Sequence, residues 1–131
     1  NGETLPMAKV LIVDDDFEIV GLLTEILNRE GHQVEAAYEP AEGMRKVRAL
    51  QPDLIIMDYH MPGMTGAHVY ESLRRNPSSH ETPILFLSGE AAPEQILGEI
   101  ADSTASRFLS KPVKLAEFRR VVAELIKGKN G

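Results

Sequence analysis

The sequence predicts an α/β protein: a doubly wound, five-stranded parallel sheet with five helices. Three observations carry that prediction. Aliphatic runs without polar alternation, Val10-Leu11-Ile12-Val13 and Leu54-Ile55-Ile56-Met57, read as strands covered on both faces, as in a parallel sheet between helices. Such runs alternate with amphipathic segments five times, and βα alternation winds into a parallel sheet through right-handed crossovers. Two of the runs end in carboxylates, Asp14-Asp15-Asp16 and Asp58, and the carboxyl ends of parallel strands are where these sheets hold ligands.

The elements follow in order. A strand from Lys9 to Val13 leads into a helix from Asp16 to Arg29, where Ile19, Leu22, Leu23, Ile26 and Leu27 recur at spacings of three and four as one stripe toward the sheet. Asp16 reads as a helix cap and Gly31 as the C-terminal stop. Gln33 to Ala37 is the second strand and Ala41 to Leu50 the second helix, with Pro40 in the turn or the first helical positions. Pro52 breaks the chain before the third strand, Leu54 to Met57. A helix from Ala67 to Arg75, a loop at Asn76-Pro77-Ser78-Ser79 and a strand from Ile84 to Leu87 come next. The last unit pairs a helix from Pro93 to Ala101 with a strand from Arg107 to Leu109 and a closing helix from Leu115 to Lys127. In that closing helix Phe118, Val121, Val122, Leu125 and Ile126 repeat at the helical period. Residues 1–6 precede Met7 and read as a cloning remnant or disordered N-terminus, 7–128 as one domain, and 129–131 as a tail or the start of a linker.

Bulk composition narrows the function. A chain of 131 residues with 43% hydrophobic content supports one core and not two comfortable domains. The net charge of −6, with no dense run of Lys and Arg, argues against a nucleic-acid surface. The absence of Cys excludes disulfides, thiolate zinc sites and cysteine nucleophiles, and it is compatible with a reducing compartment. No apolar segment reaches membrane-spanning length, so no membrane association is expected.

Four segments carry chemistry together: Asp14-Asp15-Asp16, Asp58, Ser88 and Lys111, each just after a predicted strand. Singly, each has a plainer reading as a helix cap, turn residue, strand exit or solvated lysine. Jointly, after four strands of one sheet, they converge on one edge. Crowded carboxylates repel unless a cation or shared protons relieve them. Magnesium, which favours oxygen ligands and keeps several waters, suits one or two carboxylates plus a phosphate oxygen. A metal, an ammonium and a hydroxyl can neutralise a phosphoryl group in transit, so the set fits phosphoryl transfer to a carboxylate. His32, His68 and His80 lie apart without ligand spacing, and Met57, Met61 and Met64 read as packing and loop residues.

The motifs Leu11-Ile12-Val13-Asp14-Asp15, Asp58 followed by Met61-Pro62-Gly63-Met64-Thr65-Gly66, Leu87-Ser88-Gly89 and Lys111-Pro112 resemble the receiver domain of bacterial two-component response regulators, over Ala8 to about Lys127. The resemblance implies a flavodoxin-like strand order 2-1-3-4-5. It implies that Asp58 accepts a phosphoryl group from a histidine kinase or histidine phosphotransfer protein, becoming an aspartyl phosphate in a phosphorelay. It further implies a magnesium ion, for which manganese can substitute, held by Asp14, Asp15, Asp58 and the backbone carbonyl of His60. Ser88 and Lys111 would bind the phosphate, Phe108 would act as the switch aromatic, and the bond before Pro112 would be cis. His60 and Glu90 occupy positions that tune dephosphorylation in the family. Phosphorylation would repack the surface of segments 93–101, 107–109 and 115–127, controlling a partner, a fused output domain or a homodimer. A cytoplasmic phosphoprotein that is not an enzyme is therefore expected. Phe108 stands where relatives often carry Tyr, Ser103-Thr104-Ala105-Ser106 replaces a common Gly-Ala pair, and Val113 replaces a common aromatic.

Other readings fit less well. A magnesium-dependent phosphohydrolase would want an Asp-x-Asp pair, but position 60 is His and no general acid stands beside Asp58. A flavodoxin-like cofactor binder would want a phosphate-cradling first turn, which Asp14 to Asp16 occupy instead. A degenerate receiver that only mediates contacts is disfavoured by the intact acid, hydroxyl and lysine set.

Overall fold

The structure, a computed structural model, describes residues 8–89 and 105–130. Seven strands and four helices follow one another within them: β1 (Lys9–Val13), α1 (Phe17–Arg29), β2 (Gln33–Ala37), α2 (Pro40–Leu50), β3 (Leu54–Asp58), β4 (His60–Met61), β5 (Met64–Thr65), α3 (Gly66–Arg75), β6 (Ile84–Ser88), β7 (Ser106–Ser110) and α4 (Leu115–Asn130). The expected helix from Pro93 to Ala101 lies outside the described residues. Five strands form one parallel sheet in the order β2-β1-β3-β6-β7, which is the doubly wound order expected. The remaining two, β4 and β5, form a small antiparallel hairpin that the sequence reading did not anticipate.

Side-chain alternation divides the core in two. Val10, Ile12, Leu54, Ile56, Leu85 and Leu87 pack on one face with the buried stripes of α1 and α4. The intervening residues Leu11, Val13, Ile55, Met57, Ile84 and Phe86 pack on the other with α2 and α3. Every residue of β3 and β6 is buried, as continuous apolar runs in the middle of a parallel sheet should be. The edge strand β2 alternates exposed and half-buried residues before Ala37.

Local chemistry explains most boundaries. Asp16 caps α1, its side chain accepting from the amides of Glu18 and Ile19, and Gly31 follows the helix at φ 92°. Pro40 opens α2, where its missing N–H costs nothing. Several elements begin or end one residue away from expectation, and two differences are larger. Leu22 points to solvent, 45% exposed, and Val20 replaces it in the buried stripe with Leu23 and Leu27. The closing helix runs past Lys127 to Asn130, since one Gly costs a helix only about 1 kcal/mol.

Candidate functional site

Register builds the site. Val13 lies opposite Met57 in the β1–β3 pair, so the next residue on each strand, Asp14 and Asp58, comes out side by side at the carboxyl edge. β6 flanks β3 with Leu87 opposite Asp58, and β7 flanks β6 with Ser110 opposite Ser88. Lys111 follows Ser110 directly, and its amide donates to the Ser88 carbonyl at 2.6 Å.

Three carboxylates gather here. Asp14, Asp15 and Asp58 each offer an oxygen, all within 4.8 Å of one another. Asp14 is fully buried, Asp58 nearly so at 7% exposure, and Asp15 is exposed. The Lys111 ammonium bridges the two buried acids, 3.1 Å from Asp14 Oδ2 and 3.4 Å from Asp58 Oδ2. Each acid is also held by the amide two residues on: the Asp16 N–H donates to Asp14 Oδ1 at 2.9 Å, and the His60 N–H to Asp58 Oδ1 at 3.0 Å. This is the Asx-turn habit of an aspartate that leaves a strand.

Burial sets the electrostatics. It raises the Asp14 carboxyl above its ordinary range, and the nearby Asp58 charge adds to that, while the Asp16 amide and Lys111 pull the other way without prevailing. For Lys111 burial works downward, but Asp14 and Asp58 outweigh it and hold the ammonium above its usual value. The lysine therefore stays charged and offsets part of the repulsion between the acids.

The residues fit a hard divalent cation. Asp14 Oδ2 is buried, and among the described residues Lys111 is its one partner. A buried carboxylate oxygen with capacity to spare, beside two further carboxylates, is a donor set suited to magnesium.

The other expected residues sit as follows. Ser88 is fully buried at the end of β6. Phe108 is half-buried on β7, its ring 5.9 Å from that of Tyr59. His60 exposes its side chain on β4, and the Lys111–Pro112 bond is cis. Glu90 lies outside the described residues. Two features were missed by sequence reasoning: Lys111 approaches Asp14 more closely than Asp58, and Tyr59 sits buried between the acceptor strand and Phe108. The Asp14-x-Asp16 and Asp58-x-His60 spacings were the available signal for the two amide contacts. Among the described residues no helix is long and apolar enough to cross a membrane.

Residues 10–123 match the family model of the response regulator receiver domain. The chain is 36% identical over 130 residues to a protein-glutamate methylesterase/protein-glutamine glutaminase of Burkholderia thailandensis, an alignment covering 93% of this chain and 36% of that protein. It is 34% identical over 123 residues to the DNA-binding dual master transcriptional regulator RpaA of Synechocystis, covering 92% of this chain and 50% of the relative. Among solved structures it resembles the chemotaxis protein CheY4 of Vibrio cholerae, with a TM-score of 0.81 and 33% identity over 91% of this chain and 98% of that one. The chain thus spans half or less of these two curated relatives. The first of them corrects one expectation. A relative named as a methylesterase and glutaminase overturns the expectation that the chain is not an enzyme.

Proposed function

Because the chain belongs to the response regulator receiver family, we propose that it is a phosphoacceptor switch in which Asp58 takes a phosphoryl group from a histidine kinase or histidine phosphotransfer protein. The observation that carries this reading is the Asp58 carboxylate itself, at the end of a central strand, with Lys111 Nζ at 3.4 Å and two further aspartates within ligand reach. Asp14, Asp15 and Asp58, together with the His60 carbonyl, would hold magnesium, which would neutralise charge on the phosphoryl oxygens.

An oxygen of Asp58 attacks phosphorus in line, the bond to the donor nitrogen breaks, and an acyl phosphate results. The His60 amide and Lys111 hold the carboxylate in place before attack, so little reorganisation is needed at the moment of transfer. Once Asp58 is phosphorylated its carboxylate charge is lost, and the Lys111 ammonium can turn to a phosphate oxygen while remaining near Asp14. Ser88, at the end of the adjacent strand, would donate to another phosphate oxygen. Phe108 would then answer by packing alone, having no hydroxyl with which to report its position. Matches that cover half or less of longer relatives support an output carried by a fused domain or a separate partner.

The test is intact mass after incubation with acetyl phosphate. A gain of one phosphoryl group that requires magnesium, and that Asp58→Asn abolishes while keeping the native circular dichroism spectrum, is expected. Equal incorporation in Asp58→Asn would refute the reading.

A further inference from the structure

Gly66 opens α3, yet its backbone does not need a glycine: among the described glycines only Gly31 and Gly63 have positive φ. Space is what it supplies. A Cβ at Gly66 would lie 2.3 Å from Tyr59 Cδ1, 2.6 Å from Cε1 and 2.8 Å from Cγ, far inside contact distance. The Tyr59 ring cannot simply step aside. It is 7% exposed and packs edge-on against Phe86 at 5.4 Å and against His60 at 5.1 Å, with Phe108 at 5.9 Å on a further side.

The same two residues close the loop that follows Asp58. The Gly66 amide donates to the Tyr59 carbonyl at 3.0 Å, and between them His60 pairs with Thr65 and Met61 with Met64 in the β4–β5 hairpin. That hairpin delivers the His60 N–H to Asp58 Oδ1. From these contacts we infer that Gly66 is a positioning residue for the phosphoacceptor: by seating the Tyr59 ring against bare backbone, it fixes the hairpin that aims the His60 amide at Asp58. The inference rests on the proposed role of Asp58. An added methyl must push apart the ring and the start of α3, and a shift of about 1 Å in the hairpin is enough to open a hydrogen bond of ordinary length.

The test compares wild type, Gly66→Ala, Tyr59→Ala and the double variant by three readouts: the His60 amide resonance in NMR spectra, magnesium affinity by calorimetry, and phosphoryl incorporation from acetyl phosphate. Gly66→Ala is expected to move the His60 amide resonance, or to lose the native spectrum, and to weaken magnesium binding by about 10- to 100-fold, the usual cost of losing support behind a ligand. Removing the ring removes the conflict, so the double variant is expected to return to the values of Tyr59→Ala. A folded Gly66→Ala with wild-type His60 resonance and magnesium affinity overturns the inference. So does a double variant with no recovery over Gly66→Ala, since the glycine would then be required for something other than the ring. If wild type itself neither binds magnesium nor gains a phosphoryl group, the role of Asp58 fails instead, while the His60 resonance still decides whether ring and glycine are coupled.

Discussion

At the scale of single residues the site is a negotiated crowding of charge. Three carboxylates share one edge, and a single ammonium reaches two of them. Burial raises the Asp14 carboxyl above the ordinary range. The folded chain consequently holds that proton more tightly than the unfolded chain does. The contribution of Asp14 to the stability of the metal-free protein should therefore fall as pH rises from the ordinary carboxylate range through the raised folded value, then level off above it. Asp14→Asn removes this loss while keeping an Oδ1 acceptor for the Asp16 amide. In EDTA at pH 7 its Tm is expected to exceed that of wild type by a few degrees, the shift that roughly 1 kcal/mol produces in a small domain. A lower Tm, measured by thermal unfolding, would contradict that sign. In excess magnesium the order should invert, because the variant has lost a ligand.

At the scale of elements, glycines in helices divide by what they touch. Gly43, buried on α2, faces Val13: a Cβ there would meet both Val13 methyls at 2.9 Å. Gly→Ala inside a helix ordinarily gains up to about 1 kcal/mol, but overpacking a tight contact costs about 1–3 kcal/mol. Gly43→Ala is therefore expected to lose about 1 kcal/mol in urea unfolding, and a gain would show that α2 can lift away from β1 freely. Neither this contact nor the one at Gly66 was legible in the sequence, because a glycine that makes room reads the same as one that merely permits a turn. The strands were legible for the opposite reason. Leu54 to Met57 and Ile84 to Leu87 are apolar at every position, a pattern that only burial on both faces explains. Leu22 was misassigned because spacings of three and four fit several adjacent stripes, and only the packing of Val20 on the sheet chooses between them. The β4–β5 hairpin escaped because two-residue strands leave no periodicity to read.

At the scale of the whole molecule, a parallel sheet gathers residues from positions 14, 58, 88 and 111 at one edge through strand order and register alone. The convergence could be anticipated from the strand-end positions of Asp14, Asp58, Ser88 and Lys111, whereas which acid the lysine would favour depended on distances of a few tenths of an ångström. Because magnesium should bind the folded edge and not the unfolded chain, it is expected to stabilise wild type by ~2.7 kcal/mol at a hundredfold excess over its Kd. Thermal unfolding across a magnesium titration checks this, and an unchanged Tm would remove the metal from the account. The most direct measurement locates the phosphoryl group itself. The protein is treated with acetyl phosphate and magnesium, the acyl phosphate is reduced with borohydride, and the modified residue is identified by tandem mass spectrometry. Modification at Asp58 alone is the expected result; modification confined to Asp14, Asp15 or any other residue would contradict the assignment of Asp58 as the acceptor.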